Sequence, residues 1–435
     1  MNKTVINSDE EVQAIFAEIL KEITPNREKI LKEVESFTKK IEAELKKAKV
    51  NAKLLVGGSV AKNTNLKDSS DCDIFIRFDY ETYKEEDISS ILKKVLSPFK
   101  PELVHGSRDY FQITGSIDYE IVPVLDVEDP NLALNTTDMS PLHVDWVSAH
   151  PKMADEIRLV KQFCKAQRVY GAESFIGGFS GHVIDILTIY YGGFLELLEA
   201  SEKWVRRIVI DPEKFYASSD QAIKVLNRAK LDSPLIVIDP VFKKRNAAAA
   251  LTEEQYDRFK LSALAFLSCP SKDYFIVKEI SPKILFEKYG TDLIIVSATP
   301  LVGKTDVIGG KLMKLFKLIR NQLNFYDFNV AFSDWVWDKK NPAILWFATE
   351  KKKLIPLTKQ VGPPLSVEDN VNMFKEKHPK TFVENNRICS YVNRKYVAIF
   401  DLLKDVVNSP DAKDKAKKIL VIRPAKVLKD QVTKK

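Results

Sequence analysis

Cysteine is scarce in this chain, and its spacing excludes two common kinds of protein. The 435 residues contain four cysteines, at positions 72, 164, 269 and 389. No two of them form a Cys-x-x-Cys pair, so the spacing predicts neither a zinc ribbon nor a disulfide framework. Reduced thiols are typical of the cytoplasm, and we therefore expect a cytoplasmic location.

The chain also lacks a long hydrophobic segment. No run approaches the roughly 18 consecutive apolar residues that a transmembrane helix needs. The first residues, MNKTVINSDEEVQAIF, are acidic and amphipathic, unlike a secretory signal peptide. We therefore expect a protein with no membrane association.

A strong excess of one charge is missing as well. The chain has 67 basic and 60 acidic side chains, and its net charge is +7. This mild basic excess favours a polyanionic partner only where the charges cluster, so composition permits nucleic-acid binding without establishing it. The length and the 45% hydrophobic content are sufficient for two to four domains with cores of their own.

The order of candidate elements predicts a multidomain α+β protein with three domains. Residues 1–149 contain two helices, capped at Ser8 and near Thr24, and then the strand candidates AKLLVGGS, CDIFIRF and GSIDYEIVPVLDV. Residues 150–270 have apolar residues at helical spacing. Residues 271–435 run strand, helix, strand, strand, like half of a ferredoxin-like or RNA-recognition fold. They end in a lysine-rich segment that either touches phosphate or, as we expect, is a solvated tail.

Two acidic residues stand close together in one of the strand candidates. In DCDIFIRF, the two-residue period of a strand puts Asp71 and Asp73 on one face, opposite Cys72 and Ile74. Neighbouring carboxylates repel one another unless a cation lies between them. Hard oxygen ligands on a rigid element are what Mg²⁺ requires, although a lone Asp-x-Asp is a weak indication of a metal site.

The segments on either side strengthen this prediction. Upstream, Gly57, Gly58 and Ser59 allow a tight turn whose N–H groups can approach a triphosphate. Downstream, SIDYEIVPV puts Asp118 and Glu120 on one face of a second strand, so one of them can complete a cluster of three carboxylates. Two strands that direct acids to one point favour a two-metal site for in-line phosphoryl transfer.

The combination of GGS, DCD and YEIVP resembles the polymerase-β-like nucleotidyltransferases. Their pattern is Gly-Ser, a spacer, a strand with two acids separated by one residue, and a further acid on a later strand. The resemblance implies a catalytic palm in which Asp71, Asp73 and Glu120 are the catalytic and metal-binding residues. Many members have aspartate at the third position, so the choice between Glu120 and Asp118 stays open.

The resemblance covers almost the whole chain. SPLHVDWV, DEIRLVKQFCKAQRVYG, VIDPVFKKRNAAAAL and VGPPLSVEDNVNMF follow in the order found in archaeal, class I CCA-adding enzymes. This similarity implies a palm, a helical neck like that of poly(A) polymerases and 2′-5′ oligoadenylate synthetases, and an α+β body and tail. Such enzymes add cytidine, cytidine and adenosine to the 3′ end of tRNA from CTP and ATP, without a nucleic-acid template.

The resemblance also implies a set of nucleotide-binding residues. By matching position, they are Gly58, Ser59, Lys62, His143, Lys161, Tyr170 and Arg245. Arg245 matches the base-reading arginine, whose guanidinium group can donate to acceptors on cytosine and adenine. Plainer interpretations are a loop histidine, a snorkelling lysine, a tyrosine at a helix end and a solvated basic turn. Asp239 is expected either to orient the arginine or to shape the turn.

Two positions depart from the family pattern. Lys62 and Asn63 stand where arginine and glycine are usual, which predicts a weaker anion contact because lysine lacks the bidentate fork. His182 stands where tyrosine is common. Neither change removes a catalytic carboxylate, so we expect an active enzyme.

The resemblance implies partners as well as chemistry. The body and tail would bind the acceptor stem and TΨC arm of tRNA, and a homodimer is compatible with the family. Two alternatives stay open: another template-independent nucleotidyltransferase, such as a poly(A) polymerase or an oligoadenylate synthetase, and a noncatalytic RNA-binding relative. Trp335, Trp337 and Trp346 either pack in a core, which strands favour, or stack on RNA.

Overall fold

The computed structural model describes residues 9–68, 71–228, 231–290 and 292–424. The chain forms two compact units, residues 1–278 and residues 279–435. The first unit contains the first two predicted domains, and the boundary between those two stays a prediction. No helix in the described ranges is long and apolar enough to cross a membrane.

The helices of the first unit follow the predicted order. They are α1 (Asp9–Ile23), α2 (Arg27–Lys47), α3 (Gly58–Ala61), α4 (Tyr80–Tyr83), α5 (Ile88–Val95), α6 (Ser140–Ser148), α7 (Ala154–Ala166), α8 (Gly181–Tyr191), α9 (Phe194–Glu202), α10 (Ser219–Val225) and α11 (Glu253–Ser268). The predicted cap Ser8 lies outside the described residues. The predicted start of the second helix at Thr24 is wrong, because Asn26 caps α2 by accepting a hydrogen bond from the backbone N–H of Lys29 at 3.0 Å.

A five-stranded sheet carries the acidic residues identified in the sequence. The strands of the first unit are β1 (Ala52–Val56), β2 (Asp71–Asp79), β3 (Glu102–Val104), β4 (Tyr110–Ile113), β5 (Asp118–Asp126), β6 (Ile208–Ile210) and β7 (Leu235–Val237). Strands β1 to β5 form the sheet in the order β1-β2-β5-β4-β3, and the central pair, β2 and β5, is parallel. The remaining two strands pair with each other.

The predicted alternation along β2 is confirmed. Cys72, Ile74, Ile76 and Phe78 are fully buried on one face of the sheet. Apolar residues of α2 and α5 cover this face and share its core. The burial fixes the register of the strand, so the opposite face, with Asp71 and Asp73, is left for the site.

A second core lies among the helices of the first unit and is rich in phenylalanine. Phe163 and Phe194 have ring centroids 5.6 Å apart in an edge-to-face arrangement. The side chain of Phe16 also belongs to this core, so helix α1 packs with the helical part of the unit although it precedes the sheet in the chain. This packing holds α7 and α8 together beside the sheet.

The second unit contains five helices and seven strands in its described part. They are α12 (Pro282–Tyr289), β8 (Ile294–Thr299), α13 (Thr305–Phe325), β9 (Val330–Val336), β10 (Ala343–Thr349), β11 (Leu357–Pro364), α14 (Glu368–Lys377), β12 (Thr381–Glu384), β13 (Arg387–Asn393), α15 (Ile399–Asn408), α16 (Pro410–Lys413) and β14 (Lys418–Ile422).

The ferredoxin-like prediction is confirmed and extends beyond the predicted half. Strands β8, β9, β10 and β14 form an antiparallel sheet in the order β14-β8-β10-β9, with α13 after the first strand and α15 before the last. This is the complete β-α-β-β-α-β arrangement. The sheet β11-β13-β12 is inserted between β10 and α15. Leu312 on α13 and Leu402 on α15 pack into the same core.

Two local predictions in this unit can be compared with the structure. The C-terminal segment was interpreted as a solvated tail, which is wrong for residues 418–422 because they form the edge strand β14; residues 425–435 lie outside the described part. The expectation that the tryptophans pack in the core is confirmed. Trp346 is buried, and Trp335 and Trp337 pack against the main core of the unit with part of each side chain exposed.

Candidate active site

The glycine turn packs directly against strand β2. Gly57 donates its backbone N–H to the carbonyl oxygen of Asp73 at 2.8 Å. A Cβ on Gly57 would lie 2.2 Å from the ring of Phe75, and a Cβ on Gly58 would lie 1.6 Å from Oδ2 of Asp73. Gly58 also has a φ of +58°, which glycine adopts without strain. Glycine at position 58 therefore allows the turn to approach the Asp73 carboxylate, and glycine at position 57 allows it to pack on Phe75.

Pairing of β2 with β5 brings acidic residues of both strands together. In the parallel register, Asp71 lies opposite Asp118 and Asp73 lies opposite Glu120. Burial raises the pKa of Asp73, and the charge of Asp71 contributes in the same direction. Burial and the charge of Asp73 raise the pKa of Glu120 to about 7. These carboxylates are close enough to repel one another, as expected for a site that is completed by a cation.

Asp118 and Glu120 have different surroundings. An oxygen of Asp118 accepts a hydrogen bond from the backbone N–H of Gly115 at 3.3 Å. Glu120 accepts one from the amide of Gln112 at 2.9 Å, and its charge affects the pKa of Tyr110, which burial raises to about 12. These contacts favour Glu120 as the third acid of the cluster.

A cavity of about 360 Å³ opens beside the acids. Among its lining residues are Gly58, Lys62, Asp73, Glu120, His143 and His182. This volume falls within the roughly 300–1,000 Å³ of most small-molecule sites. Five residues predicted from the sequence therefore border one cavity, together with His182, which departs from the family pattern.

A buried ionic cluster lies behind the glycine turn. Asp185 on α8 is fully buried, and its carboxylate is 2.5 Å from Nζ of Lys62 and 3.2 Å from Nζ of Lys161. Lys161 also donates to the hydroxyl of Thr64 at 2.8 Å. Burial lowers the pKa of Lys161 to about 8. The plainer interpretation of Lys161 as a snorkelling lysine is wrong, because its ammonium group is inside the protein.

A second polar cluster joins the predicted base-reading arginine to two histidines. Arg245 Nη1 donates to Oδ2 of Asp239 at 2.5 Å, and Nε2 of His143 is 3.0 Å from the same oxygen. His182 Nε2 is 3.4 Å from it, and its ring centroid lies 4.0 Å from that of His143. The pKa of His143 is lowered to about 4 by burial and by His182, so the ring is neutral near pH 7.

This second cluster has the composition of a metal site, but its carboxylate already has several hydrogen-bond partners within the protein. Donor atoms of His143, His182 and Asp239 lie within 4.8 Å of one another. The carboxylate, however, also accepts hydrogen bonds from the backbone N–H groups of Val241 and Phe242 and is paired with the guanidinium group of Arg245. Asp239 was expected either to orient the arginine or to shape the turn, and its contacts agree with both: it pairs with Arg245 and accepts from the N–H groups of the turn.

The remaining predicted residues lie on the elements around these clusters. Ser59 is on α3, directly after Gly58, and His143 is on helix α6, so the interpretation of His143 as a loop residue is wrong. Tyr170 follows α7, and burial raises the pKa of its hydroxyl, with the charge of Asp185 adding to the effect. Lys165 Nζ lies 5.5 Å from the centroid of the Tyr170 ring.

Asp185 is the site residue that sequence reasoning missed. A signal was present, because Asp185 is a single charged residue inside the apolar stretch GHVIDILTIYY. A charged residue on a buried helix face requires a partner of opposite charge. The partners, Lys62 and Lys161, are 123 and 24 positions away, and only the tertiary structure identifies them.

The carboxylate cluster fits a divalent cation. Asp71, Asp73 and Glu120 offer hard oxygen donors, which Mg²⁺ and similar ions prefer. A bound cation would offset the burial and the mutual repulsion that raise the pKa values of Asp73 and Glu120. The donor type and the electrostatics of the cluster therefore both agree with a site for a divalent cation.

Comparison with solved structures supports the fold over about two thirds of the chain. Two structures of Cid1, one on its structural plasticity and RNA terminal uridylyl transferase activity and one in complex with the short product ApU, each give a TM-score of 0.50. They share 13% and 14% sequence identity with this chain, cover 63% of it, and are themselves covered to 100% and 99%. At this identity the likeness concerns the fold alone.

Family models match three successive parts of the chain. Residues 38–115 match the nucleotidyltransferase domain, residues 155–276 match the second domain of tRNA nucleotidyltransferase, and residues 290–416 match the C-terminal domain of the CCA-adding enzyme. The order of these matches agrees with the order of elements in both units.

Curated relatives match over most of their length. The CCA-adding enzyme of Nanoarchaeum equitans is 35% identical over 81% of this chain and 86% of its own length. Those of Methanococcus maripaludis strain C7 and Methanocaldococcus jannaschii are 31% and 30% identical, each over 91% of both chains. The predicted resemblance is confirmed: this chain is a nucleotidyltransferase that belongs to the family of CCA-adding enzymes.

Proposed function

We propose that the protein adds cytidine, cytidine and adenosine in turn to the 3′ end of tRNA, from CTP and ATP, without a nucleic-acid template and with release of pyrophosphate. The observation that carries the proposal is the placement of Asp71 and Asp73 on β2 next to Glu120 on β5, beside a glycine turn, in a chain of the CCA-adding family. A noncatalytic RNA-binding protein would gain nothing from three acids directed at RNA phosphate.

The acids would hold the metal ions. Members of the nucleotidyltransferase superfamily typically use a divalent metal, and we infer Mg²⁺, bound by Asp71, Asp73 and Glu120. When bound, Mg²⁺ lowers the proton affinity of the attacking 3′-hydroxyl and stabilises the charge of the leaving pyrophosphate. Glu120 would bind in its ionised form, since a neighbouring cation counteracts the burial and the Asp73 charge that raise its pKa.

The glycine turn and the basic residues would bind the triphosphate. Gly58 brings backbone close to Asp73, and Ser59 follows it with a hydroxyl group. Lys62 lines the cavity, and Lys161 and Tyr170 lie behind it. The chain would therefore contribute mainly position and charge, as is usual in phosphoryl transfer.

The Asp239 cluster would select the base. Arg245 is held by Asp239, so its guanidinium group has a defined orientation and can donate to acceptors on cytosine and adenine. Uracil has an N–H donor where cytosine has an acceptor and would therefore be rejected. His143 is neutral near pH 7, so it can hydrogen-bond without adding charge beside the arginine.

The second unit is the candidate tRNA-binding part of the chain. CCA-adding enzymes act on tRNA, and we infer that the second unit, which matches the C-terminal domain of that family, binds the acceptor stem and the TΨC arm. The homodimer and the cytoplasmic location stay predictions from the sequence.

A primer-extension experiment tests the function. The purified protein is incubated with Mg²⁺ and tRNA that ends at the discriminator base, with each labelled nucleoside triphosphate alone and with all four, and the 3′ ends are sequenced. The proposal expects two C residues with CTP alone and one further A when ATP is added. Tails of many A residues would indicate a poly(A) polymerase, and no incorporation would favour an RNA-binding relative. A tRNA that already ends in CCA is the matched control and should accept no nucleotide.

A further inference from the structure

Asp185 is a fully buried charge near the cavity and has two cationic partners. Its side chain is 0% exposed, and those of Lys62 and Lys161 are 10% and 5% exposed. The distances from its carboxylate to the two ammonium groups are 2.5 and 3.2 Å. Charge-assisted contacts of this length in a buried setting fix the positions of the groups that make them.

The cluster joins three parts of the first unit. Lys62 follows the glycine turn and α3, Lys161 is on α7, and Asp185 is on α8. Lys161 also donates to the hydroxyl and the carbonyl oxygen of Thr64, at 2.8 and 3.3 Å, in the segment that leads from the turn to β2. Asp185 therefore determines how the lysines of two elements lie relative to the turn.

The cluster has one more positive than negative charge. Two ammonium groups share one carboxylate, so the cluster keeps a positive charge that a nearby anion can stabilise. The excess charge is directed toward the cavity, because Lys62 lines it. Both lysines also counteract the rise in the pKa of Asp73 that burial causes, so they interact electrostatically with the acidic cluster.

We propose that Asp185 is a positioning residue that holds the ammonium groups of Lys62 and Lys161 side by side, as a preformed receptor for the β- and γ-phosphates of the incoming nucleotide and for the leaving pyrophosphate. This inference rests on the proposed function, because it assigns the lysines to the triphosphate. Asp185 itself does not touch the nucleotide and acts through the lysines.

A purely structural role predicts a different pattern of binding. If Asp185 only stabilised the fold, its loss would reduce the affinity for all nucleotides to a similar degree. If it positions the lysines for the β- and γ-phosphates, its loss reduces the affinity for CTP and pyrophosphate. The affinity for CMP is then unaffected, because CMP lacks those phosphates. The comparison of CTP with CMP therefore separates the two roles.

The test uses the full-length protein and the variant Asp185→Asn, which keeps the shape of the side chain and removes its charge. Dissociation constants for CTP, pyrophosphate and CMP are measured by isothermal titration calorimetry in the presence of Mg²⁺. Displacement of a lysine should raise the dissociation constants for CTP and pyrophosphate by roughly 10- to 100-fold. Unchanged binding of all three ligands, or CMP weakened as much as CTP, would overturn the proposal. The exposed Asp220→Asn on α10 is the matched control and should bind all three like the wild type.

A second pair of variants covers the case in which Asp185→Asn does not fold. Lys161→Met/Asp185→Leu removes one charge of each sign, so the buried charge balance is kept. It is compared with Lys161→Met, in which Asp185 still holds Lys62. The double variant should bind pyrophosphate more weakly than the single variant because Lys62 has lost its partner, and equal binding would overturn the proposal.

The outcome also distinguishes this inference from the proposed function. A wild-type protein that extends tRNA, with an Asp185→Asn variant whose CTP binding is unchanged, would contradict only the role of Asp185. A wild-type protein that neither extends tRNA nor binds CTP would contradict both.

Discussion

Replacing Glu120 by glutamine should stabilise the metal-free protein while it removes activity. The ordinary pKa of glutamate is 4.5, and burial together with Asp73 raises that of Glu120 to about 7. Since the folded protein binds the proton more tightly, its free energy of unfolding decreases as the pH rises from about 4.5 to about 7. Well above that range the ionised carboxylate costs at most about 3 kcal/mol, at about 1.36 kcal/mol per pH unit.

Glutamine removes this cost and keeps the local hydrogen bond. The amide of Gln112 donates to Oε1 of Glu120 at 2.9 Å, and the oxygen of a glutamine side chain can accept the same bond. The expected gain is therefore up to about 3 kcal/mol near pH 8, and it should disappear below about pH 4.5, where the glutamate is protonated in both states.

Thermal unfolding of chelator-treated protein measures this gain. The Glu120→Gln variant should unfold at a higher Tm than the wild type at about pH 8, and the difference should shrink at about pH 5. Glu199→Gln, at an exposed position on α9, is the control and should leave Tm nearly unchanged. Addition of Mg²⁺ should raise the Tm of the wild type more than that of Glu120→Gln, since the variant lacks one proposed ligand.

A lower Tm for Glu120→Gln at about pH 8 would refute this reasoning. It would mean that the ionised carboxylate is already compensated in the metal-free protein, so that repulsion from Asp73 is not what shapes the cluster. Tm values that differ equally at both pH values would also contradict it, because the effect would then be unrelated to ionisation.

Three further predictions concern single side chains. Asp71→Asn should abolish nucleotide incorporation without lowering Tm, because Asp71 is exposed at the end of β2; wild-type turnover would contradict its metal-binding role. Gly58→Ala should reduce CTP incorporation by about 100-fold, since the new Cβ collides with the carboxylate of Asp73; an active variant would show that the turn can move. Leu312→Ala should destabilise the second unit by about 2–5 kcal/mol in chemical denaturation, since Leu312 is fully buried, and should leave CTP affinity unchanged.

The sequence alone was sufficient for the parts of the site that depend on local periodicity. The two-residue period of β2 puts Cys72 and Ile74 on the core face, which places Asp71 and Asp73 on the other face without knowledge of any partner strand. The two adjacent glycines before the strand predicted a tight turn that another group can approach closely, because glycine has no side chain. The same kind of reasoning predicted β8, α13, β9 and β10 of the second unit, but neither the inserted sheet β11-β13-β12 nor the last strand β14.

Tertiary structure decided which distant residues meet. The register of β2 on β5 places Glu120, and not Asp118, opposite Asp73, and no local pattern distinguishes these two acids. Likewise, Asp185 is a single acid in an apolar helix until packing of α7 and α8 against the glycine turn brings it to Lys62 and Lys161. Backbone periodicity is a local property that the sequence encodes directly, whereas strand register and the pairing of buried charges depend on how separate elements pack.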